Sequence, residues 1–549
     1  MTTYGSIKFS NDEWMIDDIQ PHVVIKLKSI FSGIPRTKVA PFKFDNTPEI
    51  CHDLIWFMSR YPLIISNEDI KRIESGRQIH VSVMNDMEKI LVPDYTPKEI
   101  TLKEGKTARS YQLVAKEMHA KVKRYLLGDE MGLGKSLSAI LCCMNDGALP
   151  AAIVVQSHIT RQWKEAIEEF TNLKVHIIKS TKIYNVPTAD VYIFSYHKLS
   201  GWVDVFKSSP WCSCAFDEVQ ELRRPESQKY HAAKVLSDSV DYCIGLSGTP
   251  IINYGNEIHS IMNIIKPNSL GKEEDFMREW TTNGKVVKDP KALGSYLRDN
   301  YLMLRRTRKD VGRELPPINK IIHTIDYDHA QAEKAADIAR VLAIKATTGS
   351  FIERGQASRE LDAFARHQTG VAKAAYIAEF VKILLDNDEP VLLGLWHRDV
   401  YDTIAKELKD YNPVFYSGEE TQKQKDESKA AFISGKSKLL VMSIRSGVGI
   451  DGLQNVCNTV VIGELDYSGQ IMNQFITRVD RDGQPQQVTV FYLVCDDGSD
   501  PVLMDIVGLK NSQSHGIIDP LLATPEQYSD ESRAKLLADY YLKKRSIDS

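Results

Sequence analysis

Two series of short, almost wholly apolar runs constrain this chain more than any other feature of its sequence. The first lies between about residues 100 and 265 and reads "AAIVVQ", "DVYIFSY", "CSCAFDE" and "YCIGLSGTP". The second begins near residue 388 and reads "PVLLGLWH", "PVFYSG", "SKLLVMS", "NTVVIGE" and "QVTVFYLV". A strand with one wet face alternates apolar and polar residues, because successive side chains point to opposite faces. These runs do not alternate, so they predict strands buried on both faces, as in parallel sheets covered by helices. Each run ends in small or polar residues, and open parallel sheets gather ligands at those strand ends. A mainly helical stretch, about 265–388, separates the series. The expected fold class is α/β, with two parallel-sheet domains in tandem and helical insertions between them.

At 549 residues the chain is too long for one core, and domains of about 100–200 residues suggest three or so. Residues 1 to about 95 read as a segment of their own. Within it "HVVIKLKSIF" predicts a strand, while "EICHDLIWFMSRY" places Ile50, Leu54, Ile55 and Met58 at helical spacing. Ile55, Trp56 and Phe57 add enough apolar surface for a small packed domain. "VPDYTPKEI", with Pro93 and Pro97, reads as a linker to the rest.

Bulk properties exclude several classes. A net charge of −4 and a pI near 6.4 exclude a protein that is basic throughout, yet allow a local positive groove. The opening "MTTYGSIKFSNDEWMIDDIQ" has neither the basic start nor the apolar stretch of a secretory signal. No run approaches the roughly 18 apolar residues of a membrane span. The eight cysteines lack the two-residue gap of metal sites and read as buried small hydrophobes in a reducing compartment. An intracellular protein, cytoplasmic or nuclear, with no membrane partner is expected.

Chemistry enters with "YLLGDEMGLGKSLSAI". A strand leads into Gly132 and Gly134, which let the backbone curl, and a helix begins at Lys135. The unpaired N–H groups and positive dipole of a helix start suit phosphate. Lys135 would reach the β- and γ-phosphates and Ser136 would hold Mg²⁺. The usual Gly-x-x-x-x-Gly-Lys-Ser pattern opens with glycine where this chain has Asp129, so the loop alone is also compatible with a plain turn. "CSCAFDEVQEL" supplies a complement: a buried strand that ends in Asp217 and Glu218. Asp217 would hold Mg²⁺ through water, and Glu218 would polarise an attacking water. In isolation this is compatible with a solvated acidic turn. Paired with the glycine loop about 80 residues upstream, it reads as half of a nucleotide site.

The strings "DEMGLGKS", "FDEVQEL", "LSGTPIINYGNEIHSIMNIIKP", "LRRTRKDVGRELPP", "VMSIRSGVGIDGL" and "QFITRVDRDGQ" follow the order and rough spacing of superfamily 2 helicase motors. More closely, over about residues 105–490, they resemble the SWI/SNF-type double-stranded DNA translocases. The loop in that family commonly reads Asp-Glu-Met-Gly-Leu-Gly-Lys-Thr, so the resemblance accounts for Asp129. It implies ATP and Mg²⁺ as cofactors and two RecA-like lobes. Residues 98–314 would be the ATP-binding lobe, and 315–520 a helical insertion with the second lobe. Residues 1–97 would be a small N-terminal accessory domain, and 521–549 a C-terminal helical tail.

The resemblance also assigns roles. Asp129, Gly132, Gly134, Lys135 and Ser136 form the nucleotide loop, and Gln112 in "RSYQ" matches the glutamine that recognises adenine. Ser247, Gly248 and Thr249 match the motif that links nucleotide state to lobe closure, with Gln220 and Gln474 in the same coupling set. Arg478 and Arg481 match two arginines that reach the triphosphate from the second lobe, framed by Gln474 and Gln484. Fixed planar cations suit the charge that develops on a transferring phosphoryl group. Carrying them on another lobe makes hydrolysis depend on closure.

The chain departs from the family pattern in three places. Gln220 stands where a histidine usually follows the paired carboxylates, and Asp480 and Asp482 stand for a histidine and an isoleucine. A Gly-Ile-Asp-Gly-Leu string replaces Gly-Ile-Asn-Leu. None removes a catalytic group; they bear on coupling and DNA preference. For DNA, the resemblance points to loop residues Gln156, Ser157, Ser195, Tyr196, His397, Ser443 and Arg445, whose types hold phosphates without reading bases. "LRRTRKDVGR", with Arg305, Arg306, Arg308, Lys309 and Arg313, either braces the lobes or touches DNA. The helical insert and "HQTGVAKAAYIAEFVKILLD" are most similar to the annealing-helicase branch. The expected function is a monomeric DNA-dependent ATPase that moves along, remodels or reanneals double-stranded or branched DNA in repair, recombination or replication. A strand-separating DNA or RNA helicase is the alternative within enzymes, and a nucleotide-dependent clamp without turnover the alternative outside them. No protein partner is legible.

Overall fold

Both series of apolar runs form parallel sheets. The computed structural model describes residues 3–31, 34–35, 37–208, 211–251, 255–282, 284–312, 315–316, 318–348, 351–445, 450–504 and 538–542. The first sheet has seven strands, in the order Met303–Leu304, Arg124–Leu127, Tyr242–Leu246, Ser213–Asp217, Ala151–Val155, Val191–Ser195, Val175–Ile177. Every neighbouring pair is parallel. Alternate residues feed separate clusters: Val154, Phe194 and Phe216 pack on one face, Ile153, Ile193 and Ile244 on the other. Both faces are dry, which is why the sequence shows continuous runs rather than alternation.

A second parallel sheet runs in the order Asn319–Thr324, Thr489–Val494, Thr459–Ile462, Val391–Leu395, Leu439–Ser443, Val414–Tyr416. It too is covered on both sides, by clusters containing Leu392 and Val460 on one face and Leu393 and Val461 on the other. The stretch expected to be mainly helical contains the long helices His329–Thr348 and Phe351–Asp386. It also holds four strands that pattern reading missed, two of them the paired dipeptides Thr281–Thr282 and Val286–Val287. Met303–Leu304 is only two residues long, and Asn319–Thr324 is a largely exposed edge strand, so neither makes an apolar run.

The N-terminal segment pairs Ser6–Ser10, Glu13–Asp17 and Phe42–Asp45 in an antiparallel sheet around a core that includes Trp14, Leu54 and Phe57. "HVVIKLKSIF" is not a strand. It forms the helix Pro21–Ile30, with proline in the first turn and Val23 and Leu27 buried one turn apart, while Ile25 faces solvent. The β-branched run suggested a strand, but the proline start and i,i+4 burial decide for helix. Trp56 does not enter the core: it is exposed, with the Arg60 guanidinium 4.0 Å from its ring centroid.

One helix, Asn67–Ile90, serves two cores. Ile73 packs in the N-terminal core, whereas Met87 and Ile90 are buried in the first lobe beside Ala115 and Met118. The stretch with Pro93 and Pro97 therefore follows, rather than precedes, part of that lobe. A chain beginning at residue 98 loses Met87 and Ile90, each of which contributes about 1.5–3 kcal/mol by burial. It is expected to melt well below a chain that begins at Ser66, the residue whose hydroxyl caps this helix. Equal melting temperatures would show that the helix adds nothing to the lobe.

Among the described residues no helix is long and apolar enough to cross a membrane. The eight cysteines are free thiols, all buried except the partly exposed Cys212. Of the expected tail 521–549, the helical residues 538–542 are described; its other residues, like Arg313, lie outside the described residues.

Candidate nucleotide-binding site between the two lobes

Residues from both lobes line one cavity of about 420 Å³. Gly132, Gly134, Lys135, Ser136, Asp217 and Glu218 come from the first, and Gln474, Arg478 and Arg481 from the second. Gly132 and Gly134 adopt left-handed φ values of 87° and 71°, and the helix Lys135–Cys143 starts directly after them. A side chain at Gly132 would crowd the Arg308 guanidinium at 3.2 Å, and the left-handed backbone itself favours glycine here. The Lys135 ammonium donates to the Asp129 and Glu130 carbonyls at 2.8 and 3.3 Å. Burial lowers its pKa, and Glu218 and Asp129 act against that shift.

Asp217 ends its strand with both carboxylate oxygens engaged. Trp163 Nε1 donates to Oδ2 at 2.9 Å, and the Glu218 N–H donates to Oδ1 at 3.1 Å. Glu218 sits at φ 50°, a left-handed backbone that costs a non-glycine residue about 1–3 kcal/mol. The Gln220 side-chain amide donates to its carboxylate. Burial raises the pKa of both acids, with the Glu218 charge adding to the shift at Asp217. Two adjacent half-buried carboxylates facing one lysine suit a hard cation. Among the described residues no group of three or more His, Cys, Asp or Glu could hold a metal by itself. Mg²⁺ is usually bound by one or two protein groups, phosphate oxygens and water. Ser136 and Asp217 would be its protein ligands.

Arg478 is buried and its pKa is lowered to about 9, chiefly by burial and then by Arg481. Arg481 is anchored within its own lobe, donating to the Thr477 and Ile450 carbonyls at 3.0 and 3.2 Å and to Asp451 at 3.3 Å. Thr249 N–H donates to the Ser247 hydroxyl, and Gln474 Nε2 donates to Thr249 Oγ1 across the lobes at 3.0 Å. Gly248 lies where a Cβ would be 3.2 Å from the Lys135 ammonium. The coupling motif thus touches both the lysine and the second lobe.

Several expected residues sit elsewhere. The Asp129 carboxylate is fully buried against Arg306, with contacts of 2.5 and 3.0 Å, so it braces the loop rather than facing the cavity. Gln112 donates to the Leu133 and Gly134 carbonyls at 3.4 Å and accepts from Arg109 N–H at 3.0 Å, supporting the loop from behind. Gln484 is buried on the Cys457 and Val479 carbonyls, inside the second lobe and off the cavity lining. Gln220 does not reach the second lobe with its amide, which is taken by Glu218. The arginine-rich string braces: Arg305 binds the Gly128 carbonyl, Arg306 binds Asp129, and Arg308 binds Asp480.

The expected DNA residues also divide. Ser195 and Tyr196 are buried, and the Tyr196 hydroxyl donates to the Asp217 carbonyl at 2.7 Å, so packing turns both inward. Ser157 is exposed beside His197, at 3.1 Å, and Gln156 contacts Glu221 at 3.5 Å. In the second lobe Ser443 is half-buried at the end of its strand. His397 Nδ1 lies 2.6 Å from Glu464, and Arg445 is exposed, donating to Asp466 at 2.7 Å. Pattern reading missed Trp163 and His197, and it left open whether Arg306 and Arg308 brace the lobes, as they do here, or touch DNA. Trp163 lies in an ordinary amphipathic helix, Thr160–Phe170, and only the fold carries its N–H to Asp217.

The SNF2-related domain profile matches residues 54–366. An uncharacterized ATP-dependent helicase of Mycoplasma genitalium is 22% identical over 395 residues, covering 67% of this chain and 38% of that protein. A homologue of SWI/SNF-related matrix-associated actin-dependent regulator of chromatin subfamily A-like protein 1 from Caenorhabditis elegans is 26% identical over 417 residues, covering 70% of this chain and 58% of that protein. The aligned part thus spans between about two fifths and three fifths of those relatives. The Sulfolobus solfataricus SWI2/SNF2 ATPase core in complex with double-stranded DNA is similar at 20% identity and a TM-score of 0.36, over 79% of this chain and 95% of that one. The chain belongs to the SNF2-related family, the SWI/SNF type of superfamily 2 motor.

Proposed function

We propose that this chain hydrolyses ATP and couples the cycle to movement on, or remodelling of, double-stranded DNA. The observation that carries the reading is the single cavity that unites Lys135, Asp217 and Glu218 of one lobe with Arg478 and Arg481 of the other. Lys135 and the loop N–H groups would cradle the β- and γ-phosphates. The Glu218 carboxylate, fixed by Gln220, would orient the attacking water. Arg478 and Arg481 would neutralise charge that builds on the transferring group. Ser136 and Asp217 would hold Mg²⁺, whose chemistry would be to offset the charge on the phosphates. Contact between Gln474 and Thr249 would carry the state of the nucleotide to the second lobe.

Duplex DNA is the polymer we favour. Exposed Ser157 and Arg445 lie at the C-terminal strand ends of their respective sheets, suited to backbone phosphates rather than bases. The N-terminal segment up to about Ile73, with a core of its own, would select among DNA shapes. The deciding experiment measures ATPase with no nucleic acid, single strand, blunt duplex, branched DNA and RNA side by side. Duplex should stimulate well above RNA, with little dependence on sequence and steep loss at higher salt as counterions are released. A triplex-forming strand should be displaced in an ATP-dependent way. Stimulation by RNA alone would overturn the DNA assignment, and efficient unwinding from a single-stranded tail with little response to blunt duplex would favour a strand-separating helicase.

A further inference from the structure

We infer that Arg308 and Asp480 form a positioning pair that holds the arginine-bearing segment of the second lobe against the phosphate loop of the first. The inference rests on the ATPase reading above and concerns how the two half-sites are kept together. Arg308 follows the first lobe's last strand, and its guanidinium has partners on both lobes, with the Glu130 carboxylate also 3.8 Å from Nε. Nε and Nη2 donate to the Met131 carbonyl at 3.2 and 3.0 Å, next to Gly132 of the loop. Nη1 donates to the Asp480 carboxylate at 2.8 Å, and Nη2 also donates to the Asp480 carbonyl at 2.6 Å. Asp480 lies between Arg478 and Arg481, so one planar cation links the loop that would hold phosphate to the segment carrying both arginines. Both side chains are nearly buried, at 10% and 6% exposure, where a charged hydrogen bond is strong and an unpaired charge is costly.

The geometry suits arginine and aspartate specifically. Lysine would present a single ammonium and could not span the two partners as a flat fork does. Asparagine would keep the shape of Asp480 but remove the charge. Asp482, two residues on, makes a parallel contact at the surface, where Arg109 Nη2 donates to it at 3.1 Å. That pair is about half exposed and therefore much weaker. Asp480 and Asp482 are the two positions where this chain departs from the family's last motif. Their charges are met by Arg308 and Arg109 rather than left to oppose the catalytic arginines. This pairing is a contact between the lobes made by protein groups alone, so nucleic acid would add less to turnover than it otherwise would.

The test uses the full chain and measures kcat and KM for ATP, with no nucleic acid and with saturating duplex DNA. Asp480→Asn should lower kcat without nucleic acid by about tenfold, within the usual range for coupling between sites. Binding of a fluorescent ATP analogue should change little, because the first-lobe loop is intact. Duplex supplies closing contacts of its own, so stimulated kcat should fall less and the stimulation ratio should rise. Arg308→Lys, which keeps charge and bulk, should behave in the same way, and Asp480→Glu should recover most of the lost turnover. Thermal unfolding of each variant identifies the folded ones. Unchanged or increased kcat without nucleic acid in a folded variant would overturn the positioning role, as would equal losses with and without duplex. If the wild-type chain itself hydrolyses no ATP under any condition, the ATPase reading fails instead.

Discussion

Glu218→Gln is expected to bind ATP with near-normal affinity and to hydrolyse it slower by orders of magnitude. The substitution keeps the size of the side chain and removes the carboxylate that would orient water, an interaction needed only in the transition state. Glu218 is suited to this role by its setting: a left-handed backbone at the end of a buried strand, an amide partner in Gln220, and Lys135 close enough to favour its charged form. Lys135→Ala should differ, since the lysine would contact phosphate in ground and transition states alike, so both nucleotide binding and turnover should fall. Equilibrium binding together with single-turnover hydrolysis separates the two. Near-normal turnover in either purified variant would remove the assignment of this cavity.

Arg478→Ala and Arg481→Ala should each reduce hydrolysis on the order of 10³-fold if they act as arginine fingers. The first lobe should stay folded and hold nucleotide, because neither arginine belongs to its core. The variants need not be equal. Arg478 is buried and its charged form is disfavoured by burial and by Arg481, so it gains most from an arriving polyphosphate. Arg481 is partly exposed, so water already supports its charge. Loss of Arg478 is therefore expected to be the more damaging. Wild-type rates for both variants on saturating DNA would show that the second lobe takes no part in catalysis.

The amino-acid sequence by itself determined the two parallel sheets and the chemistry at their ends. Runs such as "AAIVVQ" and "SKLLVMS" have no other low-cost use than strands dry on both faces, and "GLGKS" and "FDE" sit where such strands stop. Local pattern was a poorer guide where tertiary contacts outweighed propensity. Val23 and Val24 favour a strand, yet Pro21 and a core waiting at Val23 and Leu27 make a helix. Met303–Leu304 is too short to signal anything, and only pairing with Arg124–Leu127 makes it a strand. Motif resemblance placed Asp129, Gln112 and Gln484 at the nucleotide, but the fold spends their side chains on Arg306, on the loop carbonyls and on the second lobe's interior. Which polar groups meet each other depends on chain segments far apart in sequence, such as Trp163 with Asp217 or Arg308 with Asp480. A local pattern records what each residue can do, and only packing decides which partner, 54 or 172 positions away, it does it with.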